Sequence, residues 1–222
     1  MAGEEQILRR FGLGEDDLAA WHASDAPFEA WLTDRVARRP AGERARAVYG
    51  AEDVHAFARR AILAALALGP ADRLLEIGCG GGLLLRDAAA AGAAVTGLDH
   101  SEEMVRLVAE RVPAAEVVLG RAEALPFADG AFTAVAMSVV FMFLPDPLGV
   151  LGECRRVLGP GGRVAVYTSA PELRGTPAAP EPLAGLSRFY ADEELVVLAR
   201  AAGFGTAAVA NEDGGQLLTA RG

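Results

Sequence analysis

The sequence predicts an α/β fold in which a largely parallel sheet is covered by helices. Three observations carry this. Residues Leu74 to Gly82 read Leu-Leu-Glu-Ile-Gly-Cys-Gly-Gly-Gly, a short apolar strand running into a glycine turn, with helix-forming residues from Leu83 to Ala91 directly behind it. A second run, Ala94 to Leu98, reads as another strand and ends at Asp99. Short apolar runs then keep alternating with helical patterns toward the C-terminus.

The remaining elements follow in order. Residues 1–70 read as a helical cap of four short helices, with Trp21, Phe28, Trp31, Leu32 and Val36 as apolar faces, and residues 71–222 as the core. The last cap helix, Glu52 to Leu68, carries Val54, Phe57, Ile62, Leu63 and Leu66 on its inward stripe, and Gly69-Pro70 stops it. Ser101 suits a helix N-cap, with Glu102 and Glu103 in the first turn and Met104, Val105 and Val108 as the apolar stripe. Glu116 to Gly120 is a third strand, and Phe132 to Val140 a fourth, apolar enough to be central. A helix from Leu151 to Leu158 is stopped by Gly159-Pro160-Gly161-Gly162, and Arg163 to Thr168 is a fifth strand. Residues 170–187, with four prolines and two glycines, form a flap. Asp192 to Ala202 is a helix, and Thr206 to Asn211 and Gln216 to Ala220 close the chain as a hairpin.

The glycine turn restricts the ligand. A dinucleotide fingerprint needs glycine at the first, third and sixth positions. Gly78 and Gly80 supply the first two, but the sixth is Leu83, and the third glycine comes one residue early at Gly82. A nucleoside-triphosphate loop of the Walker type needs a lysine, and this chain has none. Glu76, just ahead of the turn, repels a pyrophosphate and favours a cation. The carboxylate of Asp99 stands where a ribose diol is held by two hydrogen bonds.

Composition narrows the class further. A chain of 222 residues is expected to be one domain with a large core. Net charge is -9 and the isoelectric point about 4.9, which argues against a grip on nucleic acid. All 21 basic residues are arginines, so chemistry that needs a catalytic lysine is excluded. Cys79 and Cys154 lack metal-ligand spacing and read as reduced thiols, so no metal site and a cytoplasmic location are expected. No run reaches the length of a membrane span, and Met-Ala-Gly-Glu-Glu-Gln does not read as a secretory leader.

Taken in order, several segments resemble the class I S-adenosylmethionine-dependent methyltransferases that act mostly on small molecules. They are Leu-Glu-Ile-Gly-Cys-Gly-Gly-Gly, Gly-Leu-Asp-His-Ser-Glu-Glu-Met (Gly97 to Met104), Ala-Glu-Ala-Leu-Pro-Phe (Ala122 to Phe127) and Leu-Pro-Asp-Pro (Leu144 to Pro147). Glu-Cys-Arg-Arg-Val-Leu-Gly-Pro-Gly-Gly (Glu153 to Gly162) and Tyr-Ala-Asp-Glu-Glu-Leu with Ala-Gly-Phe (Tyr190 to Leu195, Ala202 to Phe204) complete the set. The resemblance runs from Asp72 to the C-terminus. It implies a Rossmann-like sheet of seven strands, the last antiparallel, with helices on both faces. It also implies S-adenosylmethionine as cofactor, S-adenosylhomocysteine as product and a small-molecule acceptor, in a monomer or homodimer.

The same resemblance implies roles. Gly78, Cys79, Gly80 and Gly82 let the methionine and ribose portions approach the backbone, and Glu76 organises the amino-acid end. Asp99 holds the ribose hydroxyls, His100 and Met104 pack around the adenine, and Ala122 and Glu123 meet its edge. Met137 and Ser138 end the fourth strand, where backbone carbonyls meet the cofactor's amino group. Arg121 departs from the pattern, because the family commonly has an acceptor aspartate there and arginine accepts no hydrogen bond. Val-Val-Phe-Met-Phe (Val139 to Phe143) departs as well, and is expected to be an apolar wall of the acceptor pocket. Arg44 or Arg46 is a candidate partner for the cofactor carboxylate. Tyr49, His55, Phe141, Met142, Phe189 and Tyr190 are candidates for the acceptor pocket, His55 doubling as a general base. The expected reaction is methyl transfer to a small, rather apolar acceptor. The alternative is a cofactor-binding protein of the same fold that catalyses something else or senses the cofactor.

Overall fold

The computed structural model describes residues 2–40 and 42–222. At its centre is a seven-stranded sheet ordered β3-β2-β1-β4-β5-β7-β6. The strands are β1 (Arg73–Ile77), β2 (Ala94–Asp99), β3 (Glu116–Leu119), β4 (Phe132–Ser138), β5 (Leu158–Ser169), β6 (Thr206–Glu212) and β7 (Gly215–Arg221). Five strands pair in parallel, and β7 enters antiparallel between β5 and β6. The seven-stranded sheet expected from the sequence is therefore present, with its antiparallel last strand.

Period-2 alternation builds a core on each face. Leu75 and Ile77 of β1, Val135 and Met137 of β4, and Val164 and Val166 of β5 point to one side. There they meet Val150, Leu151, Cys154 and Val157 of α8 (Pro147–Val157) and Leu195 and Ala199 of α9 (Asp192–Ala201). On the other side Leu74, Ala134, Ala136, Ala165 and Tyr167 meet α5 (Ala56–Leu66), α6 (Leu83–Ala90) and α7 (Glu102–Arg111). Alanine at three central positions there leaves room for α5 to lie close against the sheet.

Boundaries differ from expectation where a chain reversal intervenes. Among the described residues the first seventy hold five α-helices rather than four: α1 (Ala2–Arg10), α2 (Glu15–His22), α3 (Phe28–Thr33), α4 (Gly42–Gly50) and α5, with a π-helical stretch at Asp34–Arg38. Helix α5 begins at Ala56 rather than Glu52, because His55 ahead of it takes a left-handed conformation. Its buried face is Ala58, Ala61, Ile62 and Leu66, while Phe57 is exposed. Strand β4 ends at Ser138, and Val139 turns with φ +57°. Helix α8 starts at Pro147, its first turn capped by the Asp146 carboxylate, and β5 runs back through the glycines to Leu158.

Helices α1 and α3 and the π stretch share a small core of Leu8, Leu13, Leu32 and Val36, against which Leu183 of the 170–187 flap packs. Helix α5, by contrast, belongs to the sheet core. The direction of chain progress reverses between β1 and β4. In such sheets a crevice opens at the strands' carboxyl ends at that point, and this places the candidate site.

Candidate functional site

A crevice of about 850 Å³ lies above the carboxyl ends of β1, β2 and β4. Its floor is Glu76, the glycine turn and Asp99. One wall is the segment after β4, and the rest comes from the cap, from Leu119 to Glu123 after β3, and from residues between 178 and 188 in and just after the flap.

The glycine turn needs its residue type. Gly78, Gly80 and Gly82 have φ of +68°, +48° and +76°, a region that side chains disfavour. A Cβ on Gly78 would also stand 2.5 Å from Cγ2 of Val140. The amides of Gly78 and Cys79 both donate to the Leu98 carbonyl, at 2.7 and 3.2 Å, which ties the turn to β2. Cys79 lies buried beneath the turn, and burial first of all pushes its thiol well above the ordinary range. It is packing, not a nucleophile.

Two carboxylates face the crevice from adjacent strands. Asp99 is buried; its Oδ2 accepts from the Gly80 amide at 3.0 Å and its Oδ1 from the Ser101 amide at 2.9 Å. Each oxygen keeps a lone pair for a ligand. Burial raises the Asp99 pKa, opposed by those two backbone bonds. Glu76 is only 3 % exposed, and its Oε2 has no hydrogen-bond partner. Burial, then repulsion from Asp99, holds its carboxyl well above the ordinary range. An orphaned carboxyl beside a bare glycine backbone is the cradle expected for a ligand carrying an ammonium and a ribose, so the residues present fit S-adenosylmethionine.

The flanking residues fall into place around β2 and β4. Ser101 caps α7 by accepting from the Met104 amide at 3.4 Å, and Met104 is buried on the crevice side with Ala45, Tyr49 and Leu107. His100 stands exposed at the rim, its Nε2 in hydrogen-bond contact with the Arg38 carbonyl. Arg121, Ala122 and Glu123 line the crevice, and the exposed Arg121 pairs with Glu123 Oε1 at 3.4 Å. Ser138 lines it too, whereas Met137 is wholly buried in the core toward α8 and is not a lining residue.

Of the residues offered for the acceptor pocket, some line the crevice and others do not. Val139, Val140, Met142 and Phe143 form the apolar wall. Phe141 instead points into the core against Tyr190, ring centroids 5.3 Å apart, because a short 3-10 turn (Phe141–Phe143) rotates it away. Tyr190 and Phe189 do not line the crevice either; Phe189 sits under the Arg174 guanidinium at 5.9 Å. Tyr49 and His55 do line it. Burial lowers the His55 pKa, so its ring is neutral at pH 7. His55 and Val139, both non-glycine residues at positive φ, stand on the crevice wall, as strained residues at functional sites often do.

Arginines complete the site, and the sequence did not mark them. Arg111, at the end of α7, donates to the carbonyls of Tyr49, Gly50 and Gly81, stitching α4 to the glycine turn. Arg38 and Arg188 line the crevice from the cap and the flap. Arg46 is committed to Glu103 and Glu110 and does not reach the crevice. The Arg44 side chain lies outside the described residues. Among the described residues no cluster of three or more potential metal ligands occurs, and no helix is long and apolar enough to cross a membrane.

Comparison with known proteins agrees with this geometry. Residues 75–166 match the family described as methyltransferase domain. The demethylmenaquinone methyltransferase of Beutenbergia cavernae is 39% identical over 143 residues, which is 64% of this chain and 57% of that protein. The chain spans between about a third and just over a half of the length of the first curated relatives it matches. A solved methyltransferase of Aquifex aeolicus, dependent on S-adenosylmethionine, shares the fold with a TM-score of 0.68 at 21% identity, over 82% of this chain and 98% of that one. So does the (4+2)-cyclase SpnF, with a TM-score of 0.61 at 21% identity, over 73% of this chain and 78% of that one. The fold alone therefore does not choose the reaction.

Proposed function

We propose that this chain, whose residues 75–166 match the methyltransferase domain family, is a class I S-adenosylmethionine-dependent methyltransferase that moves the donor's methyl group to a small, rather apolar acceptor and releases S-adenosylhomocysteine. The observation that carries this reading is the pairing of an orphaned, buried Glu76 with Asp99 across a glycine turn. The sulfonium of the donor makes its methyl group electrophilic and leaves as a neutral thioether. The protein's own share is alignment and exclusion of water. Asp99 and the Gly80 region fix the ribose, Glu76 faces the amino-acid end, and Val139, Val140, Met142 and Phe143 seat the acceptor. Residues 1–70 act as a cap over the core at 71–222. Incubation with methyl-labelled S-adenosylmethionine and a small-molecule extract tests the reading. Donor binding with no label transferred would favour the non-methylating alternative, which the likeness to a cyclase keeps on the table.

Two further outcomes follow from the electrostatics. Glu76 holds its proton in the free protein well above the usual carboxylate range. A cationic ammonium alongside favours the carboxylate, so binding should release a proton, and donor affinity should rise with pH through the free Glu76 pKa. Calorimetry in buffers of unlike ionisation enthalpy reads this directly; a buffer-independent heat would remove Glu76 from the donor site.

His55 is proposed as the base for a hydroxyl acceptor. Its lowered pKa leaves it neutral above the ordinary histidine value, and its activity should fall only as pH drops below that value. His55→Ala should slow transfer by about 10²-fold or more and erase the acid limb, leaving donor affinity nearly unchanged. An intact pH–rate profile in that variant would exclude His55 as the base.

A further inference from the structure

We propose that the acceptor is amphipathic, an apolar body bearing an anionic group, and that Arg38 and Arg188 hold the anion; this rests on the methyl-transfer reading above. Five arginines line the crevice, and three are already neutralised: Arg39 by Asp34, Arg59 by Asp87 and Arg121 by Glu123. Arg38 and Arg188 have no carboxylate partner among the described residues. Arg38 also carries a buried Nε that donates to nothing, which costs free energy unless a ligand accepts from it. In a chain of net charge -9, two lining arginines without a carboxylate partner are not a by-product of a basic surface.

Arg38 is placed against the segment after β4 by its guanidinium and Arg188 by its backbone, while the Arg188 guanidinium rests 5.4 Å from the centroid of the Tyr190 ring at the crevice edge. The Arg38 guanidinium stands 6.0 Å from the centroid of the Phe143 ring. The Arg188 amide donates to the Met142 carbonyl at 2.8 Å, binding the flap to the same short segment. Arg38 closes the π-helical stretch, and π-helical turns are frequent at functional sites. The segment between the two positions is apolar: Val139, Val140, Met142, Phe143 and Leu144. A planar carboxylate or a phosphate matches the guanidinium fork, and the apolar segment matches a hydrocarbon or aromatic body.

The test uses the protein saturated with S-adenosylhomocysteine and titrated calorimetrically with 2-naphthoate, 2-naphthyl phosphate and the neutral 2-naphthamide. Either anion should bind at least about tenfold more tightly than the amide. The tighter of the two anions identifies the headgroup as carboxylate or phosphate. In the Arg38→Met, Arg188→Met double variant the preference should collapse to about twofold or less, with affinity for S-adenosylhomocysteine unchanged. Equal binding of all three probes, or none at millimolar concentration, overturns the proposal. So does a loss of S-adenosylhomocysteine affinity in Arg38→Met, which would give that arginine to the donor's own carboxylate. Failure of the wild type to bind S-adenosylhomocysteine is a separate result: it sinks the methyl-transfer reading, and the anion preference is then read on the unloaded protein.

Discussion

Asp99→Ala is expected to weaken S-adenosylmethionine binding by about 2–4 kcal/mol, a loss of roughly thirty- to several-hundredfold in affinity. Two effects add. The proposed contacts to the ribose diol disappear, each charge-assisted because the acceptor is a buried carboxylate. The variant also strips the Gly80 and Ser101 amides of the acceptor that sets the shape of the turn and the start of α7. Asp99→Asn separates the two, because its carbonyl oxygen still accepts from one amide while the charge is gone. It should fall between wild type and Asp99→Ala. Calorimetric titration is the measurement, with circular dichroism to establish that the sheet is intact. Wild-type affinity in a folded Asp99→Ala protein would contradict the ribose assignment.

The second large effect is expected at Gly81, a position whose backbone is unstrained but whose surroundings are closed. A Cβ there would stand 1.8 Å from the Tyr49 carbonyl oxygen and 2.9 Å from an Arg111 guanidinium nitrogen. Backbone oxygen cannot swing aside as a side chain can, so α4 must lift from the turn. Overpacking of this kind costs about 1–3 kcal/mol, and more where the clash is with backbone. Gly81→Ala should therefore lower the melting temperature by several degrees and reduce donor affinity by about tenfold or more, because Tyr49 leaves the turn with α4. Gly152→Ala is the control. It lies within α8 with nothing within 4 Å of the added Cβ, and should be neutral or stabilising by about 0.5–1 kcal/mol. Equal melting curves for the two variants would show that α4 is not seated on the glycine turn.

Much of this could be read along the chain because its physics is local. A glycine run between an apolar strand and a helix, a carboxylate ending a strand and a serine before an acidic first turn each act within a few residues. Gly78, Asp99 and Ser101 were therefore legible. Phe141 was not. The left-handed turn at Val139 ends β4, and the 3-10 turn that follows sets Phe141 into the core with Tyr190, which nothing in Val-Val-Phe-Met-Phe marks locally. Phe189 does not line the crevice either; it lies against Arg174, 15 residues earlier in the chain, a contact that its own neighbours do not signal. Arg111 carries no local mark at all: its partners lie some 30 to 62 residues away in sequence. An arginine in a helical stretch reads as solvated until the chain is folded around it.

The modest N-terminal nucleus of Leu8, Leu13, Leu32 and Val36 has a kinetic corollary. Four buried side chains anchor these helices, whereas the two sides of the sheet bury many more, so the two regions hold together with very unequal strength. Transient detachment of the weaker region would bare the cavity mouth while leaving the strands undisturbed. Turnover is then expected to follow how often that gate swings rather than the chemical step, and rigidifying the nucleus should slow the cycle even as it raises thermal resistance.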